Sequence, residues 1–297
     1  MSAILQAFKD ADLRKKIIFT IVMIIAYRVG AQIPSPGVDY ASIAGRLRQL
    51  TEQSGDLYSV INLFSGGALL QLSIFAIGIM PYITASIIVQ LLTVVIPRFE
   101  ELKKEGQSGQ AKMTQYTRYL TLALALLQSS GIVALADREQ LLGQGVPVLA
   151  EDRNFFTLIV LVVTMTSGAV LVMWMGELIT EKGIGNGMSL LIFAGIATRL
   201  PTDGVSILQN NGGLVFAMVA AGLVILVVGI TFIEQGQRRI PVQYAKRMVG
   251  RRQYGGSSTY LPLKVNQAGV IPVIFASSLI YMPVLITQIV NSGSPGT

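Results

Sequence analysis

Long apolar blocks constrain this chain more than any other feature of its sequence. Seven of them follow one another, at residues 17–33, 69–96, 120–136, 155–175, 183–200, 214–232 and 268–290. Several have the length that a helix needs to cross the hydrocarbon core of a bilayer. Of the 297 residues, 52% are hydrophobic and 13% are charged, an imbalance that excludes an ordinary soluble domain. The sequence therefore predicts an all-α, polytopic membrane protein with seven transmembrane helices.

Basic residues concentrate on alternate connections between these blocks. With the N-terminus placed in the cytoplasm, 17 of the 23 lysines and arginines fall on the cytoplasmic side and 5 on the outer side, and Arg28 lies inside the first block. The cytoplasmic loops of membrane proteins carry such an excess of Lys and Arg. We therefore predict a multi-pass protein whose N-terminus is cytoplasmic.

The chain lacks the side chains that most hydrolytic and redox enzymes use. It contains no histidine and no cysteine, so the commonest metal ligands, thiol nucleophiles and proton shuttles are missing. Arg28 is the only ionisable residue predicted within a span, which disfavours a carboxylate-driven transporter. Glu177 and Glu181 lie one helical turn apart without an accompanying acid, base or metal constellation. We predict no enzymatic activity, no metal site and no cofactor.

The first sixteen residues differ from the blocks that follow. Ile4, Leu5 and Phe8 recur at helical spacing on one side, and Lys9 and Asp10 lie elsewhere. This pattern predicts an amphipathic helix over residues 1–16 that lies on the membrane surface.

Two of the apolar blocks share a nine-residue pattern. Residues 78–86 and 269–277 both read G-x-x-P-x-I-x-A-S. The two blocks lie five apart and run in opposite directions by the charge count, as expected of an inverted repeat of five helices. A proline inside a helix removes a hydrogen bond and kinks the helix. The pattern is therefore compatible with two mobile helices that form a gate, and equally with two kinked packing helices.

Two glycine-rich stretches precede apolar blocks. Residues 62–73 are compatible with a short re-entrant helix in a protein-lined cavity, and equally with a surface hairpin. Residues 183–187, Gly-Ile-Gly-Asn-Gly, open the fifth block. No Lys-Ser/Thr pair follows this second stretch and no strand precedes it, so we predict a tight start to a helix rather than a phosphate loop.

The last cytoplasmic connection, residues 234–264, is strongly basic. Three tyrosines lie among its seven basic residues, which are Arg238, Arg239, Lys246, Arg247, Arg251, Arg252 and Lys264. This density suits a polyanionic partner such as structured RNA. It is equally compatible with charge that only sets the membrane topology.

Taken together, these stretches resemble the SecY family of protein-conducting channels. The resemblance runs in order along the whole chain and rests on Arg28, Gly30 and residues 33–37, 64–68, 78–83, 103–106, 183–187, 237–240 and 261–266. It implies a channel of ten helices in two inverted five-helix halves. The family pattern continues through three more spans, so we expect a chain truncated after about seven of the ten helices.

The resemblance assigns roles to particular positions. Four isoleucines match the hydrophobic pore ring of the family: Ile79, Ile83, Ile192 and Ile274. Residues 59–72 match its plug, including Leu63, Phe64, Ser65, Gly66, Gly67 and Ala68. The second and seventh blocks match its lateral gate, and the polar gate positions are Ser86, Gln90, Gln128, Asn266 and Ser277. The loop that carries Arg238, Arg239, Lys246, Arg247, Arg251 and Arg252 resembles a cytoplasmic docking loop.

The resemblance also implies a function and a set of partners. The chain would be the central channel-forming subunit of the SecYEG translocase, which passes unfolded secretory polypeptides across the bacterial cytoplasmic membrane and releases transmembrane segments sideways into lipid. The implied partners are SecE and SecG, the motor SecA, a ribosome contacted through its rRNA, the translocating polypeptide and membrane lipid. No cofactor is implied.

The implied organisation has three parts, and one alternative function stays open. The parts are the surface helix 1–16, a first five-helix half over residues 17–200, and the start of a second half over residues 201–297. The alternative is a small-solute secondary transporter with the same inverted repeat, in which Gln90, Gln128 and Asn266 line the substrate site.

Overall fold

The computed structural model describes residues 10–38, 67–69, 71–137, 149, 154–242, 247–249, 252–254, 259–266 and 276. The helices described there are α1 (Ala11–Gln32), α2 (Met80–Val95), α3 (Pro97–Lys104), α4 (Gln107–Asp137), α5 (Phe155–Lys182), α6 (Gly187–Ala197) and α7 (Arg199–Gln235). The strands are β1 (Gln237–Val242), β2 (Arg247–Val249), β3 (Arg252–Tyr254) and β4 (Thr259–Lys264). The chain forms two compact units, and the boundary between Thr202 and Asp203 falls in the first turns of α7.

Among the described residues, three helical stretches are long and apolar enough to cross a membrane. They are α4, α5 and the joined stretch Gly187–Gln235, which contains α6 and α7. Helices α2 and α3 pass the same test only together, and they are bent by 101° where they meet. These helices confirm the prediction of a predominantly α-helical membrane protein.

Helix α1 covers the first predicted span except Ile33 and begins before it. The Asp10 carboxylate caps the helix by accepting a hydrogen bond from the Asp12 N–H at 3.2 Å. Residues 11–16, which we predicted to end a separate surface helix, are the first turns of α1. Residues 1–9 of that predicted helix lie outside the described part of the chain.

Helix α2 is shorter than the second apolar block predicts. Residues 71–79 form turns, with Gly78 at φ 61°, and the helix begins at Met80. Pro81 therefore stands in the first turn, where its fixed φ fits and no helix hydrogen bond is lost. The predicted proline kink in this span is wrong, because the proline begins a helix instead of interrupting one.

The fifth and sixth predicted spans also have different bounds. Helix α6 has 11 residues, about 16 Å of helix, which is too short to cross a hydrocarbon core alone. Helix α7 begins at Arg199, fifteen residues before the predicted block at Leu214, and it is broken at Gly212, where φ is 82°. The seventh block lies outside the described residues apart from Ala276, which is helical.

Helix α5 lies at the centre of the packing in the first unit. One apolar cluster joins it to α4 and to the turn segment, and includes Leu72, Ile77, Ala125, Leu135 and Leu161. A second cluster joins α5 to α1, α2 and α6, and includes Tyr27, Phe75, Ile79, Val172, Met175, Ile179 and Leu191. Between α4 and α5, the hydroxyls of Ser129 and Thr166 form a buried hydrogen bond of 2.8 Å.

The basic connection in the second unit contains β-structure that the all-α prediction did not include. Strand β1 pairs antiparallel with β4, from Gln237 opposite Lys264 to Val242 opposite Thr259. Strands β2 and β3 form a second, shorter antiparallel pair. The connection is therefore a hairpin, and a hydrogen bond of 3.1 Å from the Val265 N–H to the Gly236 carbonyl closes its base.

Candidate channel constriction and docking hairpin

Three of the four predicted ring isoleucines lie at one apolar cluster of the first unit. Ile79 belongs to the cluster and is 4% exposed, and the half-buried Ile83 and Ile192 pack against it. Ile274 lies outside the described residues. A stiff, β-branched side chain without hydrogen-bonding groups can exclude water from a narrow passage while binding no particular sequence. The cluster therefore has the chemistry of an unselective hydrophobic constriction.

The start of α2 positions two of these isoleucines. Ile79 is the residue before the helix, and its carbonyl accepts hydrogen bonds from Tyr82 N–H at 3.1 Å and Ile83 N–H at 3.2 Å. Residues four apart on a helix lie on the same face. The positive φ of Gly78 directs the chain into this first turn, so the turn and the helix start together present Ile79 and Ile83 to the cluster.

Two glycines allow the turn segment before α2 to lie directly against neighbouring helices. A Cβ atom on Gly30 of α1 would overlap the ring of Phe75, and one on Gly168 of α5 would overlap the carbonyl of Ile74. The Phe75 ring also stacks on Tyr27, with 5.9 Å between ring centroids and 10° between ring planes. The segment that leads to Ile79 is therefore fixed from both sides.

The predicted plug is described only at its C-terminal end. Gly67 has a φ of 91°, Ala68 is buried, and Leu63, Phe64, Ser65 and Gly66 lie outside the described residues. Immediately after the plug, the Ser35 N–H donates to the Leu72 carbonyl and the Ile74 N–H donates to the Ile33 carbonyl, both at 3.0 Å. This end of the plug is thus bonded to the residues that follow α1.

The predicted gate positions have different environments. Ser86 is half-buried and Gln90 is exposed on α2, whereas Gln128 on α4 is only 4% exposed. Asn266 belongs to the second unit, where its side-chain amide donates a hydrogen bond of 3.2 Å to Glu234. Ser277 lies outside the described residues. Ser86, Gln90 and Gln128 therefore share one unit, and their placement beside Asn266 and Ser277 stays a prediction.

The basic residues of the hairpin lie mostly on strands. Arg238 and Arg239 are exposed on β1, and the Arg239 guanidinium lies 4.8 Å from the ring centroid of Tyr260 on β4. Arg247 and Arg252 are in β2 and β3, whereas Lys246 and Arg251 lie outside the described residues. A cation over an exposed aromatic ring gives the hairpin a surface that is both basic and planar.

One ion pair near the constriction was not predicted from the sequence. Arg118 of α4 donates to both carboxylate oxygens of Glu177 on α5, from Nη2 at 2.7 Å and from Nε at 3.0 Å. The Glu177 side chain is 18% exposed. The two residues are 59 positions apart, and nothing in the local sequence marks them as partners. This pairing leaves Glu177 in a structural bond and not in an acid–base pair with Glu181.

The second glycine-rich stretch forms the predicted tight start of α6. Asn186 caps the helix by accepting the N–H groups of Met188 at 3.0 Å and Ser189 at 3.3 Å. The Gly187 N–H donates to the Thr180 hydroxyl at 2.8 Å, and the Ile184 N–H donates to the Thr20 hydroxyl at 3.2 Å. These four N–H groups already have protein partners, which confirms a helix start and is unlike a phosphate loop.

Comparisons with known proteins agree with this geometry. A family model described as SecY matches residues 73–296. A relative from Corynebacterium glutamicum, named protein translocase subunit SecY, is 86% identical over 294 residues, which is 99% of this chain and 67% of that protein.

Solved structures show the same fold over most of the chain. One described as "The structure of a protein conducting channel" has a TM-score of 0.62 at 16% identity, and covers 95% of this chain and 60% of that one. Sec61 in the canine ribosome-channel complex has a TM-score of 0.61 at 16% identity, with 95% and 60% covered. This chain thus spans about two thirds of the relative and 60% of these structures. By its family model and its 86% identity to a translocase subunit, the chain belongs to the SecY family.

Proposed function

We propose that this chain forms the channel of a protein translocase in the bacterial cytoplasmic membrane, with its N-terminus in the cytoplasm. Unfolded secretory polypeptides pass through the channel, and transmembrane segments leave it sideways into lipid. The observation that carries this proposal is the shared apolar cluster at Ile79, Ile83 and Ile192 in a chain of the SecY family. A passage lined in this way accepts many sequences because it offers no hydrogen bonds that would select among them.

The end of the plug supports a closed state that can open. Leu69 and Leu72 are almost fully buried in the apolar cluster with α4 and α5, which supports a plug whose C-terminal end is held by apolar contact. The two backbone hydrogen bonds at Ser35 and Ile74 fix only its C-terminal end. The proposal is that the rest of the plug leaves the constriction about this bonded end when the channel opens.

Lateral release needs a seam that is only weakly polar. Helix α2 carries Ser86 and Gln90 on a mostly apolar sequence, and its packing partner α4 carries the buried Gln128. Hydrogen bonds between membrane helices average about 0.6 kcal/mol, so bonds across such a seam exchange easily. A leucine that leaves for the centre of the bilayer gains about 0.3–0.6 kcal/mol, so an apolar segment of many residues favours lipid.

The constriction is tested by crosslinking a stalled secretory chain to single engineered cysteines. The chain has no cysteine of its own, so each label is unique. Cysteine at Ile83 or Ile192 should form adducts with the stalled chain. Cysteine at Phe193, which neighbours Ile192 but is 66% exposed, is the matched control and should form few. Equal yields at Ile192 and Phe193, or none at Ile83, would contradict the proposal.

The hairpin is the proposed docking site for the ribosome or for the SecA motor, while SecE and SecG complete the membrane complex. Its exposed arginines and the Arg239–Tyr260 stack suit an RNA surface. Arg251→Glu with Arg252→Glu should weaken ribosome binding and reduce the salt dependence of the affinity. Arg46→Glu with Arg48→Glu, on the predicted outer side, is the matched control. An unchanged salt slope in the first variant would mean that the hairpin only sets topology.

The small-solute alternative has less support. Its substrate site would combine Gln90, Gln128 and Asn266, of which the first is exposed and the second is buried. The matched relatives are named as protein translocase subunits. Saturable uptake of a small molecule that Asn266→Leu abolishes would favour the alternative.

A further inference from the structure

The loop between α5 and α6 is held by threonines from two different helices. Thr20 of α1 accepts the Ile184 N–H at 3.2 Å, and Thr180 of α5 accepts the Gly187 N–H at 2.8 Å. Thr20 is 7% exposed, so this contact lies within the packed part of the first unit. The loop is therefore bonded to α1 as well as to the helix that precedes it.

Both threonines orient their hydroxyl groups in the same way. Thr20 donates its proton to the Lys16 carbonyl and Thr180 donates its proton to the Gly176 carbonyl, each four residues earlier and each at 2.9 Å. Because the proton is committed to the threonine's own helix, the oxygen lone pairs face the loop. Each hydroxyl is thus a fixed acceptor for a loop N–H.

Two glycines of the loop allow its backbone to lie close to these helices. A Cβ atom on Gly183 would come within 2.6 Å of both the Thr20 hydroxyl and the Ile179 carbonyl. One on Gly187 would overlap the carbonyl of Gly176. The backbone at Gly183 and Gly187 therefore lies closer to these helices than a residue with a Cβ atom would allow.

We infer that Thr20 is a positioning residue for Ile192, because it fixes the start of α6 relative to α1. Helices α5 and α6 are joined by this loop, so contacts between those two helices alone leave them able to move together as a hairpin. Apolar packing in the second cluster already joins both helices to α1, and Thr20 adds a directed hydrogen bond from α1 to the loop itself. Ile192 lies five residues after Gly187, beside the buried Leu191, so a shift at the start of α6 moves Ile192 at the cluster. The consequence for sealing rests on the proposed function of the isoleucine ring.

The test compares Thr20→Val with Thr20→Ser in the assembled complex in membrane vesicles. Valine keeps the shape of threonine without the hydroxyl, and serine keeps the hydroxyl without the methyl group. Spin labels at Leu91 of α2 and Phe193 of α6, both exposed, report the distance from α2 to α6. Labels at Leu126 of α4 and Val163 of α5 form the control pair. The second readout is the ion leak through the resting channel.

We expect Thr20→Val to change or broaden the distance between α2 and α6. We also expect it to raise the resting ion leak about fivefold, which corresponds to about 1 kcal/mol, the lower end of the cost of a buried N–H group without a partner. The control distance should stay unchanged, and Thr20→Ser should behave like the parent chain. If Thr20→Val does not assemble, Gly183→Ala, which forces the loop away from an intact hydroxyl, should produce the same change in distance.

The outcomes separate this inference from the proposed function. An unchanged α2–α6 distance in Thr20→Val would overturn the positioning role, as would equal changes in the valine and serine variants. A changed distance without added leak would support the positioning role and count against Ile192 as part of the seal.

Discussion

Helices α5 and α7 are both long and apolar, but their glycines have opposite surroundings. On α5, a Cβ atom at Gly168 would overlap the Ile74 carbonyl and one at Gly176 would overlap the Met188 sulfur. On α7, a Cβ atom at Gly222 or Gly229 would meet no atom of the described residues within 4 Å. Ten residues of α5 are buried, whereas α7 has none within the described part of the chain.

The difference shows what holds membrane helices together in this protein. Lipid is as apolar as a leucine side chain, so hydrophobicity places both helices in the bilayer without making them associate. Close backbone contact at glycines and a few polar bonds supply the association in the first unit. The two helices therefore look alike by hydropathy and differ in packing.

The largest effect should come from Gly168→Ala. The new methyl group would overlap the backbone of Ile74, which a change of rotamer cannot relieve, and overpacking of this kind costs about 2–3 kcal/mol. The free energy of unfolding in detergent, from denaturant titration, measures the loss. A loss below about 0.5 kcal/mol would show that α5 is no more tightly packed than α7.

Removing the ion pair between α4 and α5 should have a smaller effect. Arg118→Ala removes two charge-assisted hydrogen bonds from the largely buried Glu177, and we expect a loss of about 1–2 kcal/mol because Arg118 itself is partly exposed. A double-mutant cycle with Glu177→Ala measures the coupling. Additive losses would mean that the two side chains act independently and that the pair does not join the helices.

In the second unit, the contact to be tested lies within the hairpin and does not join two helices. Tyr260→Leu removes the ring under Arg239 and should cost the hairpin about 0.5–1 kcal/mol, whereas Tyr260→Phe keeps the ring and should cost almost nothing. Amide hydrogen exchange in β1 and β4 measures the change. Equal exchange rates in the leucine and phenylalanine variants would exclude a contribution from the stacked cation.

The smallest effect should come from Gly229→Ala. Among the residues that the structure describes, none has an atom within 4 Å of a Cβ at this glycine, so the better helix propensity of alanine should leave stability unchanged or slightly raised. The same titration as for Gly168→Ala makes the two variants directly comparable. A loss as large as that of Gly168→Ala would show that another helix packs closely on α7.

The long spans α4 and α5 were predictable because hydropathy reports burial in lipid directly. Each contains a predicted apolar block, residues 120–136 and 155–175, although Gly131 and Gly168 lie within those blocks. Pro81 was misread because proline in an apolar run is equally compatible with a kink and with the start of a helix, and only the turn at Gly78 decides between them. The strands of the basic connection were missed because its closely spaced charged residues hide the alternation of apolar and polar side chains that marks a strand.

The residues of the site were predictable only where they belong to a short sequence motif. Ile79 and Ile83 were predicted from the single motif at residues 78–83, and the structure places them at the same cluster as Ile192. The bonds from Thr20 to the loop and from Arg118 to Glu177 join residues 164 and 59 positions apart. A hydroxyl or a guanidinium gives no sign in the sequence of which distant group it meets, so these supports required the structure.

The junction at Ser35 and Ser73 has one further consequence. Both side-chain hydroxyls are fully buried, and neither has a hydrogen-bond partner among the residues that the structure describes. An unsatisfied buried hydroxyl costs about 1–3 kcal/mol. Any movement of the preceding segment that admitted water here would recover part of that cost. If the proposed plug moves at this junction, the cost of the two hydroxyls favours an arrangement in which water reaches them.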